Sequence, residues 1–148
     1  MAVANKFDCF VGDLGLKLHN LNTDTLKVYL TNEQPTAGMT VYNANGGVDD
    51  GPEEIVGENG YTAGGVDVEN TYAQVSGVAT LAIGADKVLT GTTADDATGF
   101  GPFQFAVLYN DTAAAKNLIG WWERVSPVTV LEDETITLDM TDKLFTIQ

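Results

Sequence analysis

The stretch Phe103-Gln104-Phe105-Ala106-Val107-Leu108-Tyr109 decides the fold of this chain. It is apolar on both faces of a strand, with Gln104 as the one exception. Successive side chains of a β-strand point to opposite faces, so a strand of this kind needs an apolar cover on each side. We therefore predict a central strand here, or a strand that is covered by an N-terminal helix or by another subunit.

Short strand candidates surround this stretch within the 148 residues. Leu26, Val28 and Leu30 alternate with Lys27, Tyr29 and Thr31, which is the period of a half-buried strand. The other candidates are Val66–Val68, Tyr72–Val75, Val78–Ile83, Lys87–Leu89, Leu118–Trp122, Val128–Leu131, Thr135–Met140 and Leu144–Ile147. Gly, Asp, Asn or Pro separates nearly all of them. The pattern predicts one mainly β domain over residues 1–148, an antiparallel β-sandwich or jelly-roll-like barrel.

The N-terminal segment has a different period. Phe7, Phe10, Val11, Leu14 and Leu18 share one helical face, which predicts a short helix over residues 4–16. The helix could cover one face of a sheet, or the segment could reach onto a partner as an anchoring arm. Both interpretations stay open at this stage.

A long acidic loop is expected over residues 32–60. This segment is rich in Gly, Asp, Glu, Asn and Pro, with Asn45-Gly46-Gly47 and Asp50-Gly51-Pro52 as strong turn signals. A short strand could form around Met39–Tyr42. Loops of this length in a compact domain are often functional.

The charge balance is strongly acidic. Seven Lys and Arg stand against 21 Asp and Glu, which gives a net charge of −14, and Arg124 is the single arginine. Binding to phosphates requires clustered basic residues, so we expect neither nucleic acid nor a membrane as a partner. There is no apolar run near the ~20 residues of a membrane helix. The N-terminus does not resemble a secretory signal, so we expect synthesis in a cytoplasm.

Residues for catalysis are few. His19 is the only histidine and Cys9 the only cysteine, ten residues apart. We expect Cys9 to be buried on the helix and His19 to face solvent, and we expect neither an enzyme nor a cofactor. One Cys and one His cannot build a common zinc site. Loop carboxylates such as Asp49, Asp50 and Glu53 do not follow a calcium-loop spacing, so no metal site is predicted.

Trp121 and Trp122 are adjacent on one predicted strand, so one ring should face inward and the other outward. The outward ring could lie at a protein interface, where tryptophan is enriched. It could instead stack on a sugar.

The order of several segments resembles a family of small virion structural proteins of tailed bacteriophages. These segments are MAVANKFDCFVGDL at the N-terminus, Thr25-Leu26-Lys27-Val28, Gly57-Glu58-Asn59-Gly60-Tyr61-Thr62-Ala63-Gly64-Gly65, Gly101–Thr112, Leu118–Trp122 and Val128–Asp139. The loops at Thr36–Glu54 and Gly91–Gly99 are longer than the family pattern. The resemblance implies a β-sandwich or jelly-roll-like component of the particle, located on the capsid surface.

The function that the resemblance implies is capsid decoration. Such a cement protein would bind the major capsid protein and stabilise contacts between capsomers, as a homo-oligomer that we expect to be a trimer. The candidate residues for self-association or capsid contact are Phe7, Phe10, Leu14, Tyr109, Trp121 and Trp122. The alternative is a phage tail or fibre component that binds host-surface glycans.

Overall fold

A computed structural model of the chain describes residues 4–94, 97–140 and 143–147. The fold is mainly β, with 49% strand and 5% helix, and its strands form antiparallel sheets. This confirms the predicted fold class and its one short helix. The sheets do not close into a barrel, so the sandwich-like arrangement is the one that the chain adopts.

The elements follow one another in a simple order. They are β1 (Asn5–Lys6), α1 (Cys9–Gly15), β2 (Leu26–Thr31), β3 (Val66–Val68), β4 (Asn70–Val75), β5 (Val78–Ile83), β6 (Lys87–Thr90), β7 (Thr93–Ala94), β8 (Ala97–Thr98), β9 (Phe100–Asn110), β10 (Leu118–Val130), β11 (Thr135–Leu138) and β12 (Lys143–Ile147).

The main sheet has five strands in the order β1-β10-β9-β2-β3. Strand β9 contains the fold-deciding stretch and lies in the middle, where Val107 is opposite Tyr29 on one side and Trp121 on the other. The prediction of a central strand is therefore confirmed. From Phe105 to Tyr109, neighbouring strands on both sides pair with β9 and satisfy its backbone groups, as a strand with apolar side chains on both faces requires.

Apolar residues cover the main sheet on both faces. On one face, Val28, Leu108 and Trp122 belong to the larger core. The smaller sheets β12-β5-β4 and β11-β6 add buried residues to the same core, such as Leu81 from β5 and Leu138 from β11. These sheets therefore form the second layer of the sandwich-like fold.

The opposite face of the main sheet carries a second, smaller core. Tyr29, Val107 and Trp121 belong to it, and Phe7 packs among them. Met39 and Tyr42 of the long loop lie against the same core. The chain thus covers both faces of β9 with its own residues, and no second subunit is needed for this burial.

The helix is shorter than predicted. It runs only from Cys9 to Gly15, whereas Asn5–Lys6 pair with β10 as a strand. Val11 is 50% exposed and Leu18 is 42% exposed, so the predicted apolar face is only partly used. Backbone pairing with β10 competes with the helix at its start, and glycine lowers helix propensity at its end.

The long loop contains no helix and no strand longer than an isolated bridge within residues 32–60, all of which are described. The predicted strand at Met39–Tyr42 is reduced to one bridge between Val41 and Asn117. Strand β10 is longer than predicted and joins two candidates, Leu118–Trp122 and Val128–Leu131, through register shifts against β9.

Candidate functional site

The predicted contact residues lie mostly inside the fold. Five of the six are buried, and they are Phe7, Phe10, Tyr109, Trp121 and Trp122. Leu14 is partly buried and packs against the larger core. Little of the surface of the five buried side chains is open to a capsid or a second copy in this structure. The role of these six residues in self-association or capsid contact stays a prediction.

The two tryptophans point to opposite faces of β10, as the strand period predicts. Trp122 belongs to the larger core and Trp121 to the smaller one, where its ring centroid lies 4.5 Å from that of Phe7. The expectation that one ring would lie at an outer surface is wrong, because both faces of the sheet are covered. Neither indole is available for stacking on a sugar.

A buried carboxylate organises the long loop. Glu54 is 1% exposed, and its side chain accepts hydrogen bonds from the hydroxyls of Tyr42 (2.5 Å) and Tyr61 (2.6 Å) and from the N–H of Gly64 (2.8 Å). The Tyr61 hydroxyl in turn accepts the N–H of Leu30 in β2 at 3.0 Å. A buried carboxylate is tolerated when hydrogen bonds satisfy its oxygens. Glu54 thereby ties the loop to the sheet.

Tyrosine rings line this carboxylate. Tyr42 and Tyr109 stack with ring centroids 4.8 Å apart, and Tyr29 meets the ring of Tyr42 edge-on at 5.0 Å. Burial is the main reason that the pKa of each of these three phenols is raised, and nearby carboxylates add to the effect. The phenols therefore stay protonated and act as hydrogen-bond donors rather than as bases.

The half-exposed side chain of Lys116 lies against the rings of Tyr42 and Tyr109. The Nζ of Lys116 lies 5.5 Å from the centre of the Tyr42 ring and 2.9 Å from an oxygen of Asp111. Lys27 approaches the second oxygen of Asp111 at 3.4 Å. The hydrogen bond from Lys116 is the main cause that lowers the pKa of Asp111. This arrangement fixes the side chains of Lys27, Asp111 and Lys116 relative to one another.

His19 belongs to a second polar cluster, beneath the helix. The prediction that it faces solvent is wrong, because the residue is 7% exposed and its ring packs against Phe10. The Nδ2 of Asn110, which can only donate, lies 3.0 Å from Nδ1 of His19. Nδ1 is therefore the acceptor, and the neutral ring carries its proton on Nε2.

The Nε2 atom of His19 has no hydrogen-bond partner among the described residues. The Oδ2 of Asp13 is 3.8 Å away, which is too long for a hydrogen bond, and it already accepts one from Asn117 at 3.0 Å. Burial lowers the pKa of His19, while Asp13 and Asp24 oppose this shift. The ring is thus held neutral in the interior.

Cys9 is a poor nucleophile. Its Sγ lies 3.6 Å from the carbonyl oxygen of Leu118, and burial together with the nearby Asp13 raises its pKa to about 11. The thiolate is the reactive form of cysteine, and an acidic neighbour disfavours it. The residue is half-buried on the helix.

The described part of the chain contains no group of three or more His, Cys, Asp or Glu residues that could hold a metal ion. An open groove of about 560 Å³ lies between β10 and β11, with Val125, Ile136 and Met140 among its lining residues. No helix in the described ranges has the length and apolar character that crossing a membrane requires.

Sequence reasoning missed Glu54 and the polar partners of His19. Nothing in the run Pro52-Glu53-Glu54 distinguishes the buried carboxylate from its exposed neighbour.

Comparisons with protein-family models, with curated proteins and with solved structures found no match.

Proposed function

We propose that this chain is a structural protein of a tailed-bacteriophage virion, and that it decorates the outer surface of the capsid. In this role it binds the major capsid protein and stabilises contacts between neighbouring capsomers. The order of sequence segments described above supports the proposal, because it resembles that of small virion proteins.

The main structural observation behind this proposal is that the chain's own residues cover both faces of the main sheet. The long acidic loop is bound to the second face of the sheet through the buried Glu54, whereas its carboxylates at Asp49, Asp50 and Glu53 are exposed. A rigid module with a net charge of −14 stays soluble at high local copy number. Like charge also keeps it away from packaged DNA.

The alternative of a glycan-binding tail or fibre component loses its main support. It relied on an exposed tryptophan, and both tryptophans are buried. Glycan binding by the native protein would nevertheless reverse the preference between the two functions.

Adding the protein back to capsids that lack it would test the decoration role. We expect saturable binding and a higher temperature of capsid disruption, measured by light scattering, since bridging contacts oppose separation of the capsomers. Capsids that already carry their full complement serve as the control and should not change. An unchanged disruption temperature for the stripped capsids would reject the proposal.

A further inference from the structure

The hairpin formed by β4 and β5 has an unusual composition for this chain. The segment from Asn70 to Ala85 contains no Asp, Glu, Lys or Arg, although the chain carries a net charge of −14. Ser76 and Gly77 form its two-residue turn, and both have positive φ, 52° and 82°. This is the backbone that a tight hairpin prefers.

Strand β4 forms one edge of the sheet β12-β5-β4. Every residue from Thr71 to Val75 is exposed. The N–H of Gly84 donates to the carbonyl of Glu69 at 2.7 Å, so these two residues form a hydrogen-bonded pair next to the β4–β5 ladder. Hydrogen-bonded and non-hydrogen-bonded pairs alternate along an antiparallel ladder. Thr71, Ala73 and Val75 therefore bond to β5.

The same alternation turns the N–H and C=O groups of Tyr72 and Gln74 away from β5. No strand among the described residues pairs with this outer edge. Proteins usually protect such an edge with charge, proline or shortness. Two edges of the main sheet follow that rule, since β1 has two residues and includes Lys6, and β3 has three and includes Asp67.

We propose that β4 pairs with β4 of a second copy of this chain, antiparallel, across a two-fold axis at Ala73. Tyr72 of each copy then exchanges two backbone hydrogen bonds with Gln74 of the other. Ala73 meets its own counterpart at a non-hydrogen-bonded position, where the Cα atoms of paired strands come closest, about 4.5 Å apart. A small side chain fits this position.

Charge selects this hairpin as the place where a second copy can approach. Two acidic molecules repel each other over most of their surfaces, and the uncharged hairpin is where they can approach without bringing carboxylates together. A two-fold contact also stops at two copies, because the outer β4 edge of each copy is then paired. The half-exposed Tyr72, at 38%, would lose solvent contact in the pair.

One strand pair is a small interface, so we expect dimers that depend on concentration. Sedimentation velocity over about 10 µM to about 1 mM would detect them. Gln74→Pro removes an outward N–H that has no bond to β5, and should raise the dissociation constant at least about tenfold. Ala73→Glu should act similarly by placing two carboxylates together at the axis.

Val48→Glu is the matched control, because it makes the same kind of change at a residue that is 98% exposed in the long loop. It should leave the dimer intact. Circular dichroism and thermal unfolding would establish that each variant is folded. A wild type that stays monomeric at about 1 mM, or an oligomer that Ala73→Glu leaves unchanged, would overturn the proposal.

Cross-linking tests the register directly. In a Cys9→Ala background, Ala73→Cys should form a disulfide-linked dimer on mild oxidation, because the paired Cα distance suits a disulfide. Val75→Cys is the control, since it would be opposite Thr71 of the other copy and should react much less. Equal yields would contradict the register. None of these results depends on capsid binding, so they separate this inference from the proposed function.

Discussion

Glu54 is the residue whose loss should cost most in the long loop. Glu54→Gln replaces an acceptor oxygen by a donor and removes the charge that the hydroxyls of Tyr42 and Tyr61 bind. We expect the free energy of unfolding to fall by about 2–4 kcal/mol, measured by urea denaturation. Glu58→Gln makes the same change at an exposed residue and should stay within about 0.5 kcal/mol of wild type.

His19 should make stability depend on pH. Its pKa in the folded protein lies below the ordinary value of 6.5, so the unfolded chain binds the proton more readily. The stabilising contribution is therefore complete above pH 6.5 and is lost as the pH falls towards the lowered pKa. His19→Gln should remove this component. The difference in free energy of unfolding between His19→Gln and wild type, measured by urea denaturation at pH 5 to 8, should shrink in acid. A difference that stays constant would contradict a lowered pKa of His19.

These residues also show where sequence reasoning stops. His19 follows the helix, and a helix alone would leave it in solvent. It is buried because Asn110, which is 91 residues away in sequence, packs against it. Glu54 is buried, whereas Glu53 is exposed, because Glu54 accepts a hydrogen bond from the hydroxyl of Tyr61. Tyr61 lies outside the acidic run, so the run alone does not show which glutamate is buried. Neither contact leaves a periodic pattern in the sequence.

Among the elements, α1 offers a simple gain in stability. Gly12 lies in the helix with free space around the position of a Cβ. Gly12→Ala should raise the free energy of unfolding by about 0.5–1 kcal/mol, since alanine favours the helix. Gly65→Ala is the contrasting change, because Gly65 has φ of 78° and a Cβ there would collide with the carbonyl of Val28. It should be destabilising, and thermal unfolding would rank both variants against wild type.

The elements differ in how far the sequence predicts them. Strand β5 matches its predicted range of Val78–Ile83, because its alternation is regular and its ends are marked by glycine. The predicted helix over 4–16 is too long, because apolar spacing cannot show that Asn5–Lys6 pair with β10. Local pattern thus defines strands with clear ends, whereas pairing between distant segments sets the remaining boundaries.

For the whole molecule, the net charge of −14 should make salt stabilising. Raising NaCl from about 0.01 M to about 0.15 M shortens the screening length from about 30 Å to about 8 Å, which weakens the repulsion among carboxylates. We expect the midpoint of thermal unfolding to rise by roughly 2–4 °C. KCl should act alike. A lower midpoint would mean that ion pairs such as Lys27–Asp111 outweigh the repulsion.

The covered position of β9 has a consequence for deuterium uptake. The amide protons of Phe105 to Tyr109 are enclosed by neighbouring strands at both edges and by apolar cores on both faces, so they should exchange only when the entire chain opens. The amides of Tyr72 and Gln74 should exchange within the shortest labelling time in dilute solution. One time course would then report global opening and the accessibility of an edge strand together.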